Sequence, residues 1–187
     1  MSTIELQKQI ANNMLNLVET YFDPTCIVAG GAPRDWYFGN VANDIDLFLY
    51  WRCDLPNYYF EDKMKDLGIA VTIHSFGSVN NTYHKNPNIH RVFDAVVSGV
   101  PVQFILMHEK TFKSVVPTFP LSICRIWYKH GETHKTKEFE YTVSRNAIVQ
   151  LDNTYADGVG YVKKIRNKFP EFSFWSDKET FIQATTF

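Results

Sequence analysis

Apolar residues recur near a helical period at Ile4, Ile10, Met14, Leu17, Val18 and Tyr21, which predicts an amphipathic helix over 4–22, closed by Asp23-Pro24 and leaning on a sheet. The period then changes. Residues 25–30 and 44–50 read as strands around a short helix over 31–38, 58–67 as a helix ending before Gly68, and 69–76 as another strand. The run 77–90, rich in Asn and Ser with Pro87, reads as a loop long enough to be functional. Strands over 91–97 and 101–107 meet at a Ser98-Gly99 turn, a helix is expected over 108–115, and a hairpin over 121–141. From Val143 onward one or two helices are expected, including 158–168. No internal repeat or low-complexity tract interrupts this order.

A chain of 187 residues with 45% apolar and 16% aromatic side chains suits one folded domain over 1–187, burying about 70% of its unfolded surface. Its core is expected at about 23–116, with a hairpin and helices over 121–187. The formal net charge of −1 means that no global basic field advertises nucleic-acid binding, so any polynucleotide contact must be local. Lys163, Lys164, Arg166 and Lys168, beside Tyr161 and Phe169, could grip an RNA or DNA backbone. A solvated helix face is the plainer reading.

The three cysteines, Cys26, Cys53 and Cys124, are widely spaced and odd in number, which fits a reduced cytoplasmic protein, with Cys26 and Cys124 in core strands. His130 and His134 flank Gly131-Glu132, a hairpin turn rather than a metal pair. No signal peptide or run of 18 apolar residues appears, so no membrane partner is expected.

The chemistry concentrates in VAGGAPRDWYFGNVANDIDLFL, residues 28–49. A Gly30-Gly31 turn opens a helix with Arg34-Asp35 near its start, and Asp44 and Asp46 flank one residue of a strand, so both carboxylates share a face. At a separation of about 6 Å and an effective dielectric near 20 their repulsion is about 3 kcal/mol, a cost that a cation removes. Hard oxygen ligands on a rigid strand suit Mg²⁺, which takes one or two protein carboxylates and completes its shell with water and phosphate oxygens. A chance GGxxRD has a probability on the order of 10⁻⁵ per start position, and the DxD that follows lowers it further.

GGAPRD followed by NDIDLF resembles the head motif of the DNA-polymerase-β-like nucleotidyltransferase superfamily, in the variant of bacterial CCA-adding enzymes and poly(A) polymerases. With its VQFILM strand and FPLSICRIWY segment, the whole chain is also similar to small single-domain nucleotidyltransferase-like proteins of tailed bacteriophages. The resemblance implies an α+β, palm-like fold whose mixed sheet carries helices mainly on one face. It implies an NTP substrate and two Mg²⁺ ions on Asp44 and Asp46, the catalytic pair, with NMP transferred to a hydroxyl of RNA, tRNA included, or of a protein, and pyrophosphate released. Gly30 and Gly31 would let the backbone approach the triphosphate. Arg34 would contact phosphate or brace the loop, and Asp35 would orient Arg34 or the acceptor.

The chain departs from this pattern in three ways. Many members have a third carboxylate on a neighbouring strand; the obvious place is Val100–Met107, and this chain has Gln103 there. Asp94 is an alternative third acid, or a strand-edge aspartate. Pro33 stands where an aliphatic residue is usual, which a helix's first turn tolerates. Nothing past residue 150 has room for the neck, body and tail of a CCA-adding enzyme. These departures keep a second reading open, a nucleotide- or nucleic-acid-binding phage factor acting on a host protein, and a third, a purely structural protein. For base recognition the residues open to choice are His74, Ser78, Asn80, Asn81 and Tyr83.

Overall fold

The computed structural model describes residues 2–52, 55–56, 58–74, 86–108, 115–151 and 158–176. Helix α1 (Thr3–Tyr21) begins at a capping box, in which Ser2 Oγ accepts from the Glu5 amide at 3.2 Å and Glu5 Oε2 accepts from the Ser2 amide at 2.9 Å. Its buried positions Gln7, Ile10, Ala11, Met14, Leu15 and Val18 follow the three-and-four spacing of one helical face. Strand β1 (Ile27–Ala29), helix α2 (Gly31–Tyr37) and strand β2 (Ile45–Tyr50) follow as a strand, helix, strand unit. Helix α3 (Tyr59–Asp66), strand β3 (Val71–Ile73) and the hairpin β4 (Ile89–Val97) and β5 (Val100–Met107) come next, the hairpin turning at Ser98-Gly99 as expected. Strands β6 (Ile126–Lys129) and β7 (Glu132–Lys135) complete a seven-stranded sheet of order β3-β4-β5-β2-β1-β6-β7.

The sheet is mixed: β2 runs parallel to β5, and every other neighbouring pair is antiparallel. Alternation along β2 divides its side chains. Ile45, Leu47 and Leu49 enter the larger core with Leu15, Val18, Phe60, Met64 and Phe104 beneath α1 and α3, whereas Phe48 joins Ile27, Val92, Ile105 and Met107 on the opposite face. The helices thus pack mainly on one face, and Asp46 lies on the other, two residues from Phe48.

A buried polar clamp sets the approach to β2. Gln7, 3% exposed, donates from Nε2 to the Ala42 carbonyl at 2.7 Å, while its Oε1 accepts from the Ala42 amide at 3.0 Å and from Trp36 Nε1 at 2.9 Å. All the hydrogen-bonding capacity used lies inside the core, so α1 fixes the segment just before Asp44. At the far end of β2, Asp23 Oδ2 accepts from the Tyr50 amide at 2.8 Å.

The C-terminal part corrects the expected hairpin over 121–141. A 3₁₀ turn occupies Ser122–Cys124, the hairpin is confined to β6 and β7, and Lys137–Arg145 is helix α4. Thr136 caps α4 by accepting from the Phe139 amide at 3.2 Å, and Phe139 and Thr142 are buried one turn apart, so KEFEYTVSR has a start signal and an apolar side that its alternating appearance conceals. The hairpin joins the main sheet, since β6 pairs directly with β1. Helix α5 (Gly158–Lys168) matches the expected span, and a short parallel pair, β8 (Ala147–Val149) with β9 (Ser173–Trp175), was not foreseen. Leu121, Ile123, Phe139, Ile148, Ile165 and Phe169 form this part's own core, against which Phe38 packs.

Most of the expected loop over 77–90, the helix over 108–115, and Cys53, Ser78, Asn80, Asn81 and Tyr83 lie outside the described residues. Among the described residues no helix is long and apolar enough to cross a membrane.

Candidate active site

A cleft of about 630 Å³ opens on the sheet face that carries Asp46. Its walls include Gly30, Gly31, Arg34, Asp35, Asp44, Asp46 and Gln103, so both halves of the motif meet in one space. Asp44 stands after a bend at Asn43, one residue before β2 rather than within it, and Asp46 follows Ile45 on the strand; both border the cleft. Gly30 caps α2 with φ of 82°, a left-handed conformation that side-chain-bearing residues rarely adopt. A Cβ placed there would sit 3.6 Å from Asp46 Oδ2, in the space in front of the carboxylate. The strand pairing explains the proximity: Val28 pairs with Leu47 in antiparallel register, which brings the turn after β1 to the start of β2.

Arg34 and Asp35 are buried, at 5% and 3% exposure. The guanidinium donates to Asp35 Oδ1 from Nε at 2.9 Å and meets the same oxygen through Nη2 at 2.8 Å. It also donates to Cys124 Sγ at 3.3 Å and lies over the Phe169 ring, 5.3 Å from its centroid. Asp35 Oδ2 accepts from Lys168 of α5. Burial would pull the Arg34 guanidinium down, and Cys124, Tyr161 and Asp35 around it hold it above its ordinary value. Arg34 and Asp35 therefore fasten α2 to α5.

Helix α5 supplies another wall. Tyr161, Lys164, Ile165 and Lys168 border the cleft at the spacing of one helical face. Lys163 and Arg166 point to a different groove, shared with Val162, Asn167 and Phe172. The basic cluster is thus divided between two grooves, with Lys163, Lys164 and Arg166 exposed, as a solvated helix face has them, and Lys168 half-buried. Tyr161 shares a hydrogen bond of 3.1 Å with Cys124 Sγ, and burial, then Cys124 and Asp46, hold its hydroxyl well above the ordinary phenol value against the pull of Arg34. The phenol stays protonated at neutral pH. The clue in sequence was the stripe at 161, 164, 165 and 168, two of its members cationic.

Of the cysteines, Cys26 is core as expected, and burial pushes its thiol up. Cys124 is buried too, but borders the cleft and holds Arg34. His130 meets Glu19 at 3.0 Å and His134 stacks on Trp127, so each has a surface role in the β6–β7 hairpin. His74, one of the expected base-reading candidates, borders the cleft.

Among the described residues no group of three or more His, Cys, Asp or Glu side chains gathers to hold a metal. Asp44 and Asp46 both bring carboxylate oxygens to the cleft that the glycine turn borders, which fits Mg²⁺ and its need for few protein ligands.

The chain is similar in structure to a tRNA-processing enzyme in its apo form I, with a TM-score of 0.61 and 14% identity over 92% of this chain and 45% of that one. It is similar to the Thermotoga maritima CCA-adding enzyme complexed with tRNA, with a TM-score of 0.61 and 14% identity over 90% of this chain and 40% of the other. A CCA-adding enzyme in complex with ATP gives 0.60 and 14% over 88% and 40%. The fold is of the nucleotidyltransferase type, and the chain spans less than half the length of these proteins. No protein-family model and no curated protein sequence matches it.

Proposed function

We infer that this protein is a metal-dependent nucleotidyltransferase that moves a nucleoside monophosphate from an NTP to a hydroxyl and releases pyrophosphate. The carrying observation is the single cleft bordered by Asp44, Asp46, the Gly30-Gly31 turn and, from α5, Lys164 and Lys168. Asp44 and Asp46 hold Mg²⁺, which when bound supplies charge neutralisation on the triphosphate and activation of the attacking hydroxyl. Gly30 and Gly31 let phosphate approach the backbone closely. Lys164 adds positive charge from across the cleft. Arg34 braces the glycine turn, and Asp35 orients Arg34. An RNA 3′-end is the favoured acceptor, by likeness to enzymes that bind tRNA, with a protein side chain the alternative. The reduced, buried Cys26 and Cys124 suit work in a cytoplasm, that of a host cell for a phage protein.

The test is transfer from each α-labelled NTP to total RNA with Mg²⁺, using wild type, Asp44→Ala and Asp46→Ala. Transfer is expected in the wild type and loss to background in both variants. Full activity in either variant removes its carboxylate from the ligand set.

One observation favours the second reading, a nucleotide- or nucleic-acid-binding factor without turnover. Gln103 lies directly beside Asp46 in the β2–β5 register, and a neutral amide cannot serve as a base for the attacking hydroxyl. Calorimetric binding of ATP or CTP with Mg²⁺ but no labelled product supports that reading.

A further inference from the structure

We propose that His74 takes the proton from the acceptor hydroxyl, positioned for that task by Asp94 and Gln103; the inference rests on the nucleotidyltransferase reading above. Neighbouring strands carry a row of polar residues in lateral register. Asp46 on β2 is beside Gln103 on β5, Gln103 beside Asp94 on β4, and Asp94 beside Thr72 on β3. Cross-strand partners share a face, so all four lie on the cleft side of the sheet. His74 follows two residues after Thr72, and its amide bonds the Val92 carbonyl at 2.9 Å, extending the β3–β4 ladder. Asp46, Gln103 and His74 all border the cleft.

The hydrogen bonds along this row fix the chemistry of the imidazole. Asp94 Oδ1 accepts from Gln103 Nε2 at 2.8 Å, and Asp94 Oδ2 lies 2.6 Å from His74 Nδ1. An ionised carboxylate only accepts, so the short contact places a proton on Nδ1, and in the neutral imidazole Nε2 is then the accepting nitrogen. Gln103 Nε2 also lies 3.5 Å from the same Nδ1, a longer contact than its 2.8 Å bond to Asp94 Oδ1. The amide at position 103 thereby acquires a purpose: unable to accept the proton itself, it aims the carboxylate that orients the histidine. The His74 and Asp94 side chains are 24% and 40% exposed, open enough to pass a proton on to water.

In the step itself, the hydroxyl proton moves to His74 Nε2 while the hydroxyl oxygen's electron pair forms a bond to the α-phosphorus. The bond from the α-phosphorus to the bridging oxygen breaks, and its pair leaves with pyrophosphate. Asp94 stabilises the imidazolium, which then gives its proton to water. His74 is the catalytic residue in this scheme, and Asp94 and Gln103 are positioning residues.

The experiment measures pyrophosphate release and labelled transfer with α-labelled ATP, Mg²⁺ and total RNA for wild type, His74→Ala, Asp94→Asn and Asp46→Ala, with ATP affinity by calorimetry. In His74→Ala, kcat is expected to fall on the order of 100-fold or more, the span of general base catalysis, with ATP affinity within about twofold of wild type and partial recovery on adding imidazole. Asp94→Asn keeps the shape of the site and is expected to lose about tenfold in kcat without imidazole rescue. If His74→Ala does not fold, Asp94→Asn decides. Wild-type kcat in both variants while Asp46→Ala is inactive overturns the role of His74 and leaves the nucleotidyltransferase reading standing. A loss in His74→Ala that imidazole does not relieve and that ATP affinity mirrors also overturns it, as a structural effect. Wild-type protein that binds ATP and transfers nothing overturns both.

Discussion

Gly30 and Asp46 face each other across the turn between β1 and α2, where a Cβ on the glycine would lie 3.6 Å from Asp46 Oδ2. Gly30→Ala therefore carries two penalties. The left-handed φ costs an alanine about 1–2 kcal/mol, which for a domain of this size lowers the melting temperature by about 2–8 °C. The added methyl also occupies space in front of the carboxylate, so transfer activity is expected to fall well below what the lost stability alone explains at 25 °C. A melting curve beside a transfer assay checks this, and unaltered turnover in a destabilised Gly30→Ala would separate the glycine from the chemistry.

The division of basic residues on α5 gives a paired prediction. Lys164 borders the cleft and Lys163 does not. A charge-assisted hydrogen bond to phosphate contributes about 1.5–3 kcal/mol, so Lys164→Ala is expected to weaken NTP binding by about tenfold or more, while Lys163→Ala leaves it unchanged. Calorimetry on both variants decides. Equal effects would mean that the helix acts through diffuse charge rather than through one wall of the cleft.

The Gln7 clamp predicts a remote effect. Gln7→Leu fills similar volume but strands the Ala42 amide and carbonyl and the Trp36 Nε1, all otherwise bonded in the core. Leaving buried polar groups unsatisfied costs about 1–3 kcal/mol each, so a loss of about 3 kcal/mol is a conservative expectation from urea unfolding. Because Ala42 lies two residues before Asp44, Mg²⁺-dependent NTP binding should weaken as well. A variant as stable as wild type would show that the three contacts are dispensable.

Acid sensitivity should trace in part to His90. The ring stacks on Trp51, with 10° between planes, and meets His108 edge to face at 5.1 Å. Burial, then His108 and Arg91, hold its imidazole below the ordinary value of 6.5. Between that lowered value and 6.5 the unfolded chain binds more protons than the folded one. The stabilising contribution is therefore complete above pH 6.5 and is lost as pH falls through the folded-state value. His90→Phe keeps a ring against Trp51 and should flatten the stability profile in this window. A histidine NMR titration placing His90 at or above 6.5 would contradict the assignment.

The elements of the fold that sequence revealed were those with a clean period or a punctuating residue. Helix α1 has a capping Ser2, a buried stripe and Asp23-Pro24; the β4–β5 hairpin has Ser98-Gly99; the strand, helix, strand unit around Gly30-Gly31 has both. Helix α4 was concealed because KEFEYTVSR alternates polar and apolar residues like a strand, and only the Thr136 cap and the Phe139–Thr142 spacing settle its conformation. The glycine turn and the two carboxylates were legible because they are close in sequence. Helix α5 is not: more than 110 residues separate Asp46 from Lys164, and its place beside the cleft follows from packing of Phe38 and Ile165 in a common apolar cluster. The hydrogen bonds of Asp94 were hidden for a related reason, since its partners Gln103 and His74 lie elsewhere in the chain and become neighbours only through register.

That row of aligned polar groups also restricts which changes of length the central strands can absorb. A one-residue insertion early in β5, ahead of position 103, would rotate the remainder of the strand, turning the Gln103 amide into the larger core and an aliphatic or aromatic neighbour toward the cleft. Descendants of this sequence should therefore vary in loop length freely while keeping β2, β4 and β5 free of single-residue gaps, a pattern of conserved spacing rather than conserved letters.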